Sequence, residues 1–311
     1  MPRKISFLGL DNAGKTSIIK AITQKFGFEE EIKEILPTRR VARDQFEFLG
    51  IKFIRMDFGG QSLYREEYLK DPGKYLGGTD LIFYVIDIQD PDRYMESLDY
   101  LEDILLYFKE IQEYPPVEVL FHKFDPDITK TEFFNQKALT LKQSLMKFSY
   151  DYDMFFLETS IYDLKSVLDA FSSGLALLFD KMEMVSQLFE EMSKNYDTLL
   201  IALFDSNGFT LGEYTRPKIR LDAKMSIYRS YIEVQKRLTT DSKFPHEFSD
   251  MFQNGQRYSG VIEELRFGEL KFYLLFIVME NEEDLEQTIN ILNEIEAAQP
   301  KIESILSQII Q

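Results

Sequence analysis

Gly9-Leu10-Asp11-Asn12-Ala13-Gly14-Lys15-Thr16, with Ser17 behind it, closes the apolar run Ile5–Gly9 and opens the helix-period stretch Lys15–Lys25. The pattern is G-x-x-x-x-G-K-[ST] in a strand–loop–helix setting. Two glycines let the backbone fold into a nest of N–H donors, and the helix N-terminus adds its dipole. Lys15 then supplies a point charge for β- and γ-phosphates, and Thr16 offers a hydroxyl to Mg²⁺. Gly9, Asp11, Asn12, Ala13, Gly14, Lys15, Thr16 and Ser17 are therefore expected around a phosphate chain.

Outward from this loop, the first half alternates short apolar runs with helical patterns. Phe46–Leu49, Lys52–Asp57, Leu81–Asp87, Val117–Phe121 and Met154–Leu157 join Ile5–Gly9 as six predicted strands. Helices are predicted over Lys15–Lys25, Pro91–Glu113, Thr131–Phe148 and Asp163–Phe179. Nearly continuous apolar strands alternating with helices predict an α/β unit, a mostly parallel sheet covered on both faces. Ligands of such sheets bind at the carboxyl ends of the strands. From about Met182 the order changes to helix, two strands, helix, three strands, helix, an α+β layer. Asp205-Ser206-Asn207-Gly208 marks a hairpin there, a helix carries Met225, Tyr228, Ile232 and Leu238, and Pro300 is expected to kink or restart the tail. Domains are thus expected at 1–180 and 181–311, joined without a flexible linker, by one long helix or closely packed ones.

Three further strand ends carry side chains suited to one ligand. Asp57-Phe58-Gly59-Gly60-Gln61 offers Asp57 to Mg²⁺, the Gly60 N–H to the γ-phosphate, and Gln61 to orient an attacking water. His122-Lys123-Phe124-Asp125 places a carboxylate where it accepts the N1–H and N2–H₂ donors of guanine. Adenine offers no donors at those edges, and an unpaired desolvated carboxylate costs about 1–3 kcal/mol, which favours GTP over ATP. The Lys123 stem can lie on the base, and His122 can donate a ring N–H toward the phosphate loop. Glu158-Thr159-Ser160-Ile161 follows the sixth strand, with the Ser160 amide expected at guanine O6, Ile161 beside it, and Asp163 as the cap of the next helix. Thr38, 19 positions before Asp57, is expected to cover Mg²⁺ and γ-phosphate. Gln61, Lys15 and Thr38 form the expected catalytic set, Thr16, Thr38 and Asp57 the metal set, and GTP or GDP with Mg²⁺ the ligands. Arg39, Arg40 and Arg43, beside Thr38, are expected to face solvent or a partner.

Composition removes other classes. The 311-residue chain carries 36 basic and 53 acidic residues, net −17, and is acidic on both sides of Asp180. A phosphate backbone needs a basic face, so no nucleic acid is expected as a partner. With no cysteine there is no disulfide, thiolate metal site, cysteine nucleophile or prenyl anchor. Two histidines exclude a histidine-rich zinc site, and Pro2 excludes N-myristoylation. The longest apolar stretch, Phe272–Met279, falls far short of the ~20 residues of a membrane span. The expectation is a cytoplasmic chain without direct membrane insertion or lipid anchor, any membrane residence being supplied by a partner.

These residues together resemble the Rag/Gtr family of small GTPases. His122-Lys123-Phe124-Asp125 after Val117–Phe121 looks like the Rag base-recognition strand and loop. Phe155–Asp163 followed by Ala170-Phe171-Ser172 looks like the Rag pattern F-x-L-T-S-I-[WYF]-D…A-F-S. Tyr84–Asp90 with Tyr94 and Met95 is closest to the Rag C/D branch. The phosphate loop and Pro37-Thr38 look more like the Arf group. The resemblance implies a P-loop small-GTPase domain followed by a roadblock/longin-like α+β domain. It implies a GTP-hydrolysing switch with slow intrinsic turnover, which dimerises through its C-terminal domain with itself or with a Rag/roadblock-type protein. It also implies activating and exchange proteins, and membrane placement through a scaffold in nutrient or membrane-associated signalling. Two alternatives remain open: an Arf-like trafficking GTPase, and a nucleotide-bound scaffold with negligible turnover, which the Asp11 carboxylate close to the phosphates would permit.

Overall fold

The computed structural model describes residues 2–24, 38–128, 131–217, 246–252, 255–280 and 287–310. The chain divides into two compact units, Met1–Leu178 and Phe179–Gln311.

In the first unit β1 (Arg3–Leu8), β2 (Val41–Phe48), β3 (Ile51–Phe58), β4 (Leu81–Asp87), β5 (Val117–His122) and β6 (Met154–Thr159) form one sheet, ordered β2-β3-β1-β4-β5-β6. Only β2 runs antiparallel to its neighbour. The alternation of apolar runs and helical patterns predicted this mostly parallel sheet. Its central strands are buried throughout β5 and over all but the last residue of β4. The buried set includes Glu118, whose carboxyl burial pushes up to about 8. Between the strands lie α1 (Lys15–Gln24), α2 (Ser62–Lys70), α3 (Tyr94–Glu110), α4 (Glu132–Leu145) and α5 (Leu164–Ala176). In α3, Tyr94, Ser97, Leu101, Ile104 and Phe108 recur at spacings of three and four and are buried, the stripe of a helix laid on a core. Strand order departs from β1 in both directions, so the crevice at the strands' carboxyl ends opens beside β1.

Two expectations at the sheet edge needed correction. β2 begins at Val41 and not at Phe46, because an edge strand has no need of an apolar pattern: Arg43, Asp44 and Gln45 are exposed, and Arg55 of β3 pairs with Asp44 across the ladder. Leu49 belongs to the turn, not to the strand. It and Gly50 both have positive φ (52° and 75°), as a tight two-residue hairpin requires. α2 had no helical prediction; it fills most of the Gly60–Tyr75 segment.

In the second unit α6 (Glu183–Met192) precedes β7 (Thr198–Asp205), β8 (Thr210–Thr215), β9 (His246–Met251), β10 (Arg257–Phe267) and β11 (Leu270–Met279), followed by α7 (Gln287–Ile310). The sheet is antiparallel, ordered β8-β7-β11-β10-β9. The predicted hairpin is present. Gly208 takes positive φ (73°), and the Asp205 side chain accepts from the Asn207 and Phe209 amides at 3.0 and 2.8 Å. The predicted helix with Met225, Tyr228, Ile232 and Leu238 lies outside the described residues, as do Pro37 and Asn254.

No single helix joins the halves. α5 stops at Ala176, Lys181 turns into the left-handed region (φ 67°), and α6 starts at Glu183. Pro300 neither kinks the tail into two helices nor restarts it; it sits inside α7. The buried stripe Ile291, Ile295, Ala298, Ile302, Ile305 and Ile309 runs unbroken across it. Each buried Ile contributes about 1.5–3 kcal/mol, enough to offset the ~3 kcal/mol of an interior proline.

Candidate functional site

The loop after β1 is fitted to its surroundings by its glycines. Gly9 has φ 137°, and a Cβ there would lie 2.3 Å from the Val85 carbonyl oxygen of β4. Gly14 has φ 96°, and its Cβ would lie 2.4 Å from Cδ2 of His122. Asn12, between them, also takes positive φ (60°). The Lys15 side chain is buried, its ammonium donating to the Leu10 and Gly9 carbonyls at 2.6 and 3.1 Å. Burial lowers its pKa to about 8, against the pull of Asp57 and Asp11. The loop thus holds a cation in its middle.

Thr16, Thr38 and Asp57 come together although 22 and 19 residues separate them along the chain. Thr16 Oγ1 donates to Asp57 Oδ2 at 2.7 Å, Thr38 Oγ1 donates to the same oxygen at 3.0 Å, and the two hydroxyls lie 2.8 Å apart. The other carboxylate oxygen, Oδ1, is buried without a hydrogen-bond partner. Burial raises the Asp57 pKa, opposed by the Thr16 hydroxyl, Lys15 and Thr38. An orphaned buried carboxylate oxygen with two hydroxyls is a hard-oxygen set of the kind that holds Mg²⁺ beside phosphate and water ligands, so these residues fit that ion. Two residues on from Thr38, the Arg40 carbonyl accepts from the Gly59 amide and from the Tyr68 hydroxyl at 2.6 Å. Arg39, Arg40 and Arg43 are exposed.

Gly60 is pressed against the phosphate loop. Its carbonyl accepts from the Asp11 amide at 3.0 Å and from Arg65 Nε at 2.9 Å, and a Cβ on it would lie 2.2 Å from the Asp11 nitrogen. Gln61, just before α2, is exposed. The Asp11 carboxylate, expected close to the phosphates, is bound by Arg93 through Nη2 at 2.8 Å, while Nη1 reaches the Asp11 carbonyl at 3.3 Å. Glu96 holds Arg93 at 2.9 Å and also pairs with Arg65. Sequence reasoning passed over Arg65, Arg93 and Glu96, and no motif would have found them.

At the other end, His122 is buried and its Nδ1 lies 2.9 Å from Thr159 Oγ1 of β6. Burial lowers its pKa to about 3, so the ring is neutral and joins β5, β6 and Gly14. Lys123 takes positive φ (60°) and its ammonium reaches Asp87 at 2.6 Å. Asp125 accepts from Ser160 Oγ at 2.6 Å and from Gln89 Nε2 at 2.8 Å, and the same Gln89 nitrogen donates to the Lys123 carbonyl at 2.7 Å. Gln89 is a further residue the sequence reading missed. Ser160 is buried and its amide is not turned to an open cleft; it donates to Ser166 Oγ at 3.0 Å, a cap supplied from the first turn of α5. The Ser160 hydroxyl braces Asp125, and Ile161 and Tyr162 line the cleft at this point.

These loops enclose one cleft of about 460 Å³, within the usual range for a small-molecule site. Asp11, Asn12, Gly14, Lys15, Thr16 and Ser17 line one end, with Thr38, Gly60 and Gln61; Gln89, His122, Lys123, Asp125, Ile161 and Tyr162 line the other. Gly9, Ala13, Asp57 and Ser160, expected at the ligand or metal, are buried and do not line the cleft. Among the described residues no helix is long and apolar enough to cross a membrane.

A family model described as the Gtr1/RagA G protein conserved region matches residues 4–232. The ADP-ribosylation factor-like protein alp41 of Schizosaccharomyces pombe is 31% identical over 122 residues, covering 39% of this chain and 60% of that protein. The small COPII coat GTPase SAR1 of Nicotiana tabacum is 33% identical over 102 residues, 33% of this chain and 47% of its own. The ADP-ribosylation factor-like protein 3 of Chlamydomonas reinhardtii is 37% identical over 102 residues, 33% of this chain and 52% of its own. The chain spans about half the length of the curated relatives it matches. Among solved structures, the Arl6 BBS3 small GTPase from Trypanosoma brucei with bound nucleotide analogue GppNp is similar at 20% identity and a TM-score of 0.45, over 57% of this chain and 98% of that one.

Proposed function

We propose, because this chain belongs to the Gtr1/RagA family of G proteins, that it binds GTP and GDP in the cleft and hydrolyses GTP as a molecular switch. The observation that supports this best is the convergence of four separate loops, after β1, β3, β5 and β6, on a single cleft. Thr16 and Thr38, which donate to the buried Asp57 carboxylate behind them, line the cleft, and so does Asp125.

Lys15 and the amides of the loop hold the phosphates. Thr16, Thr38 and Asp57 would hold Mg²⁺, which when bound neutralises charge on the β- and γ-phosphates. Gln61, exposed at the head of α2, orients the attacking water. Asp125 accepts from the guanine N1–H and N2–H₂. The Ser160 hydroxyl fixes the carboxylate, and the Ile161 amide takes over the O6 contact first assigned to Ser160. Release of the γ-phosphate frees the segments around Thr38 and Gly60–Tyr75, which signals the change of state.

The family resemblance extends the reading to the second unit. There β8 and β9 lie at the two edges of the sheet, suited to pairing with a second chain, its own copy or a Rag/roadblock-type partner. Activating and exchange proteins would set the switch. A scaffold partner would bring it to a membrane surface in nutrient signalling.

Single-turnover phosphate release tests the catalytic part. Gln61→Leu should slow release by about 10- to 100-fold while GTP affinity stays within about twofold. An unchanged rate would contradict the role given to Gln61.

A further inference from the structure

Asp11 stands at the end of the cleft where Lys15, Thr38 and Gly60 meet, far along the loop wall from Asp125, and its side chain is partly exposed. A bare carboxylate there faces the outermost phosphate of a triphosphate. Arg93, the last residue of the turn before α3, grips Asp11 twice, at the carboxylate and at the backbone carbonyl. Its third contact is Glu96, and Glu96 also pairs with Arg65, whose Nε sits on the Gly60 carbonyl. The Gly60 carbonyl in turn accepts from the Asp11 amide. The contacts form a closed ring of two cations and two anions: Asp11, Arg93, Glu96, Arg65, and back through Gly60 to Asp11.

We propose that Arg93 is a positioning residue that neutralises Asp11 and so lets the phosphate loop accept a terminal phosphate, with Glu96 anchoring it. This rests on the guanine-nucleotide reading above. An arginine suits the place because its planar fork meets a carboxylate, a carbonyl and a second carboxylate at once, which a lysine ammonium on a flexible stem does not do. The Arg93 and Asp11 side chains are partly exposed, and such a pair contributes little to stability, so removing Arg93 bears more on the ligand than on the fold. One uncompensated charge at the distance of a neighbouring phosphate, with partial screening, changes affinity by about tenfold. The effect is greater for GTP than for GDP, because the repulsion falls on the outermost phosphate.

The test is calorimetric binding of Mg·GTP and Mg·GDP to the full chain at low and high salt. Arg93→Ala should weaken GTP by about tenfold and GDP by about threefold, and both losses should shrink in about 0.5 M salt. The melting temperature should stay close to that of the unaltered protein. Combining Arg93→Ala with Asp11→Asn should bring GTP binding to within about twofold of Asp11→Asn alone, since no charge then needs cover. Glu96→Gln, which loosens the guanidinium without removing it, should give a smaller loss with the same salt dependence. Wild-type GTP affinity in Arg93→Ala would overturn the proposal. So would a loss that persists beside Asp11→Asn, because Arg93 would then touch the phosphates itself. If the unaltered protein takes up neither nucleotide, the proposed function fails first, a result distinct from either of these.

Discussion

At the proposed phosphate end of the cleft, most of the lining comes from one continuous loop, whose Gly9 and Gly14 are pressed on Val85 and His122 and whose Lys15 lies inside it, joined by Thr38, Gly60 and Gln61. At the base end, a single carboxylate, Asp125, is held from two places, by Gln89 and Ser160. In the proposed function the first end, built largely by local sequence, offers backbone amides and charge, which would read phosphate and nothing of the base. The second, built by tertiary contacts, offers one directional acceptor, which would read the base and nothing of the phosphates. Affinity and identity are therefore separable, and substitutions should separate them.

The largest effect is expected from Lys15→Ala. Losing a buried cation aimed at the phosphates should weaken GTP by about a hundredfold or more. The small residual binding of ATP should fall by the same factor, because this end is blind to the base. Titration with both nucleotides checks it; unequal losses would break the division of labour. Next, Asp125→Asn should weaken GTP by about 10- to 50-fold and favour xanthosine triphosphate, whose base presents an acceptor where guanine presents a donor. Its phosphate contacts, read as the ratio of GTP to GDP affinity, should stay as they were. The smallest effect belongs to Gln89→Ala. This residue, in the Tyr84–Asp90 stretch but given no role there, braces Asp125, and its loss should cost GTP affinity about two- to threefold, with selectivity reduced in proportion.

The same contrast explains what could be read from the sequence. The phosphate loop, Asp57–Gln61 and Asp125 stand where short motifs and strand ends put them, because each depends on a few adjacent residues. Gln89 reaches Asp125, and Arg93, Glu96 and Arg65 reach Asp11 and Gly60, only through tertiary packing, and no spacing in the sequence records that. Ser160 shows the limit within a motif. Its place was legible, but the direction of its amide depends on Ser166 in the next helix. In the fold, the buried strands were legible from apolar runs, while the polar edge strand β2 began five residues earlier than its apolar part. Pro300 failed as a helix breaker because a continuous buried stripe outweighs one lost backbone bond. The break at Lys181 carries neither glycine nor proline, the two residues that announce turns.

The most direct measurement is calorimetric titration of the purified, nucleotide-stripped chain with Mg·GTP and Mg·ATP. Tight uptake of about one GTP per chain, at least a hundredfold stronger than ATP, is the predicted result. Equal affinity for the two nucleotides would contradict the assignment of Asp125 to the guanine edge and leave the cleft without its proposed ligand.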